Sequence, residues 1–68
     1  MKIACLDGTV AAEVRATLAR HGIVQGVHQR ETNEDDPTVW VIVNVVITHD
    51  KESILRREIE SSAGATVE

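Results

Sequence analysis

Asp7-Gly8-Thr9 is the first stretch of this chain whose residue types and spacing could do chemistry. Aspartate followed by glycine favours a tight turn. A helix that opens straight after the turn presents unbonded backbone N–H groups, which attract an anion, and the Asp7 carboxylate could hold an ammonium. The same residues have a plainer use, because Asp7 or Thr9 can accept a backbone N–H and cap that helix. Both readings fit the sequence. His21, His28 and His49, with Cys5, form the next candidate set, for a metal. No two histidines stand at i, i+4 on one helix and no Cys-x-x-Cys occurs, so no metal site is expected. Cys5 alternates with Ile3 and reads as a small buried hydrophobe, while His21 suits the negative end of a helix dipole. Glu31, Glu34, Asp35 and Asp36 cluster at a turn but lack the order of a calcium loop, and a solvated turn is the expectation. No nucleophile has a base placed near it, no paired carboxylates share a structural face, and no glycine loop could cradle a phosphate. No catalytic residue, cofactor or enzymatic activity is therefore expected.

The elements that must position these residues are read from periodicity. Met1–Leu6 alternates as a short strand. Val10, Val14 and Leu18 recur every four positions up to His21, with Glu13, Arg15 and Arg20 on the wet side, and Gly22 supplies the left-handed stop. Ile23–Glu31 reads as a half-wet edge strand, and Thr32–Asp36 as an acidic turn ending at Pro37. Nine of the twelve residues from Pro37 to Thr48 are β-branched, which predicts a central strand. At ~3.3 Å per residue it would reach about 36 Å, twice the usual strand. Asp50 is the expected cap of a second helix with Ile54, Leu55 and Ile59 as its apolar stripe, and Ala65–Glu68 is long enough for a stub of strand. Strand, helix, strand, strand, helix, strand is the ferredoxin-like α+β arrangement, a four-stranded antiparallel sheet with both helices on one face.

With 68 residues the chain reads as a single domain, residues 1–68, of marginal stability unless something docks on it. The lone Cys5 excludes an internal disulfide and fits a reducing, cytoplasmic setting. The longest apolar run, Val39–Val43, is far short of a membrane span. Seven basic residues against eleven acidic ones give a net charge of −4, which argues against nucleic acid as a partner.

Met1–Ile23 resembles the opening of ACT domains, small regulatory modules that bind amino acids and related metabolites. The matching residues are Asp7-Gly8, Ala12-Glu13-Val14, Leu18-Ala19 and His21-Gly22-Ile23, with Gln29-Arg30-Glu31, Val41–Val46 and Gly64–Val67 fitting the later strands. Here the glycine follows the aspartate directly, where Asp-x-x-Gly is usual in the family. The resemblance implies a homodimeric regulatory module that binds an amino acid or similar small molecule near Asp7, Gly8 and Thr9, at an interface between domains.

A second expectation comes from alternation along the central strand. With Val41, Val43 and Val45 facing the helices, Trp40, Ile42 and Val46 face the other way, joined by Ala4 and Leu6 from the neighbouring strand. Such a face would approach or exceed the ~300–600 Å² of the largest apolar patch on a typical monomer. Ala4, Leu6, Trp40, Ile42 and Val46 are thus the expected interface, taking a second copy of the chain or another protein. A ligand-free docking module, working through this face or through the acidic hairpin, is the alternative to metabolite binding.

Overall fold

The computed structural model describes residues 1–33 and 35–68. Its elements are β1 (Lys2–Cys5), α1 (Gly8–Arg20), β2 (Val27–Asn33), β3 (Asp36–Val43), α2 (His49–Glu60) and β4 (Ala65–Val67). The strands form one sheet in the order β2-β3-β1-β4, and every neighbouring pair is antiparallel. The fold is ferredoxin-like, as the order of elements predicts.

Alternation divides the sheet into two unlike faces. Ile3 and Cys5 of β1, Val39, Val41 and Val43 of β3, and Ala65 and Val67 of β4 point to the core. Both helices bring their apolar stripes to this side, Ala11, Val14 and Leu18 from α1 and Leu55 and Ile59 from α2. α1 starts where Asp7 caps it and stops where His21 and Gly22 send their N–H groups back to Leu18 and Ala19, with Gly22 at φ +80. Thr17 is the one buried polar residue of the described core, and its hydroxyl donates to the Glu13 carbonyl a turn earlier.

Several boundaries differ from the sequence expectation: α1 opens at Gly8 and not Val10, and β2 runs to Asn33 while β3 opens at Asp36, so Thr32, Asn33 and Asp36 lie in paired strands and not in a turn. β3 ends at Val43 and not at Thr48, so Asn44–Thr48 forms a loop. Pairing with β1 stops at Lys2 opposite Ile42, and Met1 closes that ladder by exchanging bonds with Val43. On the other side Gly26, at φ +71, turns the chain away from the sheet while its carbonyl takes the Asn44 N–H. With no strand alongside, β-branched residues alone cannot extend the sheet. β2 starts at Val27 for the same reason, which leaves Ile23 and Val24 in the preceding loop. The cap of α2 is Thr48, whose hydroxyl accepts the Lys51 N–H, and not Asp50, which lies in the first turn.

Candidate functional site

Asp7 is the cap of α1 and Gly8 and Thr9 are its first two residues, all three exposed. Asp7 is extended, its Oδ1 accepts the Val10 N–H at 3.0 Å, and its carbonyl accepts the Ala11 N–H at 3.1 Å. One carboxylate oxygen is therefore committed to the cap, which is the plainer of the two sequence readings. A side chain at Gly8 would meet open space, so no close approach demands glycine there.

The helix-free face of the sheet is the other candidate. The register sets Arg30, Trp40, Ala4 and Thr66 in one row across β2, β3, β1 and β4, and His28, Ile42 and Lys2 in the next. Trp40 and Ile42 are half-buried, and the Lys2 ammonium lies over the indole, 4.4 Å from its centroid. Of the expected interface, Ala4, Trp40 and Ile42 are brought together as foreseen. Leu6 and Val46 are not. Leu6 lies beyond the end of β1, 62% exposed, and Val46 sits in the loop after β3, 102% exposed. The apolar surface is thus a narrow seam with cationic groups on both sides. The cation on the far side, Arg30, comes with the His28 imidazole from β2, a strand whose cross-sheet register the sequence does not reveal.

Val46 belongs to a different apolar surface, at the end of the molecule where the two loops meet. Val24 is 69% exposed there, and Val45 and Val46 follow from the neighbouring loop. Together with Gly22, Ile23 and Gln25 they line an open cleft of about 460 Å³. A second cleft, of about 310 Å³, continues between α1 and β2 past Ala12, Ala16, Ala19 and Val27. The sequence signals for this surface are two apolar pairs, Ile23-Val24 and Val45-Val46, and each reads equally well as strand interior.

The remaining polar candidates lie apart. His21 meets Glu58 at 2.8 Å and ties the end of α1 to α2, His28 is on β2, and His49 opens α2. Among the described residues no three of His, Cys, Asp and Glu come together as a metal site. Burial pushes the Cys5 thiol above its ordinary value of 9.0, and the Asp7 carboxylate adds to that. At the start of β3, hydrogen bonds from Thr38 hold the Asp36 carboxyl below the usual carboxylate range. Glu34, assigned to the acidic cluster from the sequence, lies outside the described residues. No helix among the described residues is long and apolar enough to cross a membrane.

Compared with protein-family models, curated proteins and solved structures, the chain matches none. The likeness of Met1–Ile23 to ACT domains accordingly rests on the residues quoted for it.

Proposed function

We propose that this protein is a non-enzymatic docking module that receives another polypeptide on the helix-free face of its sheet. The observation that carries this reading is Trp40, the only Trp, Tyr or Phe in the chain, half-exposed on an inner strand of the sheet. An indole has a large apolar body and supplies much of the energy of interfaces where it is present, so an anchor position on an uncovered face suits docking. The core is complete without it, since the buried side chains of the sheet come from the opposite face. Metabolite sensing at Asp7, Gly8 and Thr9 ranks second, because the helix cap already accounts for Asp7.

Selection of a random peptide library on the immobilised protein, counter-selected on Trp40→Ala, tests the docking reading. Enriched peptides should bind the parent and lose at least about tenfold, ~1.4 kcal/mol, on the variant. Peptides that bind both forms equally, or no enrichment at all, would refute it.

A further inference from the structure

We infer that the polypeptide docking on this face is an acidic segment carrying an apolar side chain between its carboxylates; this rests on the docking reading above. Arg30 and His28 approach the seam from β2 and Lys2 approaches it from β1, with Trp40 and Ile42 of β3 between them. Neighbouring strands lie ~4.8 Å apart, so the two cation-bearing strands are about 9.6 Å from each other. None of the three groups has an anionic partner among the described residues. Among the described residues, close contacts to carboxylates lie elsewhere, from His21 to Glu58 and from Arg56 to Glu52, and Lys2 rests on the indole. The chain as a whole carries −4, so positive charge gathered on one face runs against its average.

Charge also decides among occupants. A two-fold dimer sets a patch against itself, so a second copy packed through this face would oppose cation to cation across the seam. A nucleic-acid strand, one anion per nucleotide, would overrun so short a band. At one end of the face it would meet Asp35 and Asp36, where β2 turns into β3. At the other it would meet Glu68, whose N–H bonds the Lys2 carbonyl. A short acidic peptide satisfies the cations and leaves its apolar residue on Ile42 and Trp40. Oppositely charged patches also raise the rate and selectivity of encounter.

Because Trp40 is the sole indole, its emission reports on the site directly. The full chain is titrated with four probes of about ten units each: a glutamate–leucine peptide, its lysine–leucine and serine–leucine counterparts, and a thymidine strand, with calorimetry in parallel. The glutamate–leucine peptide should give a saturable change that weakens with added salt, and the lysine–leucine peptide should give none. In the double variant Lys2→Glu/Arg30→Glu the preference should reverse. Both positions are exposed, and the circular dichroism of the variant checks that it folds. Equal binding of the serine–leucine peptide overturns the charge assignment while leaving docking intact. Tighter binding of the thymidine strand overturns it in favour of nucleic acid, and silence toward every probe overturns it outright.

Discussion

The Lys2 ammonium and the Trp40 indole are stacked across neighbouring strands, with the charge 4.4 Å from the ring centroid. A contact of this kind at an exposed site contributes ~0.5–1 kcal/mol, and the lysine stem also screens one side of the ring. Replacing Lys2 with Gln should lower stability toward urea by that amount. It should also raise quenching of Trp40 by acrylamide. Unchanged quenching would mean that the lysine does not cover the ring in solution.

The bond from the Val10 N–H to Asp7 makes a distinct forecast. Asp7→Ala should cost about 1 kcal/mol in chemical denaturation, and Asp7→Ser, which keeps a cap acceptor, should recover most of it. Thermal melts with a panel of amino acids separate this from a ligand role. A bound ligand at a hundred times its dissociation constant adds ~2.7 kcal/mol, and that gain would have to vanish in Asp7→Ala.

Much of this architecture was legible in the residues themselves. The four-residue spacing of Val10, Val14 and Leu18, closed by Gly22, defines α1 to within two residues at its start, and alternation assigns Val39, Val41 and Val43 to the core. The end of β3 was not legible, because a strand stops where its neighbours stop, and the turn at Gly26 is a fact about β2. The makeup of the helix-free face was half legible for the same reason. Ala4, Trp40 and Ile42 follow from counting along each strand, but Arg30 joins Trp40 only through the register between strands.

Gly26 is the position where that turn can be probed. Its φ is +71, and a Cβ there would fall 2.7 Å from Val45 Cγ1. Gly22 shares a positive φ of +80 but faces open space. Gly22→Ala should cost ~1–2 kcal/mol, the left-handed penalty alone. Gly26→Ala should cost more, and the excess should disappear in a Val45→Ala background. A double-mutant cycle read by urea denaturation measures that coupling.

Cys5 sets the alkaline limit. Its thiol is raised above 9.0 in the folded chain by burial and by Asp7, so above that pH the unfolded chain releases the proton first. The unfolded state then binds fewer protons than the native one, and stability falls as pH rises past 9.0. The difference in stability between the parent and Cys5→Ala, followed from neutral to alkaline pH, should shrink or reverse along that limb. A thiol reagent should label Cys5 only as fast as the chain unfolds.

Because odd-numbered positions of β1 and β3 build the interior while Lys2, Ala4, Trp40 and Ile42 alternate with them on the outside, surface and interior are written in separate letters of the same strands. The chemistry of this surface is free to change by substitution at even positions alone, leaving the interior untouched. The same separation makes the small sheet a natural frame for grafting new contacts.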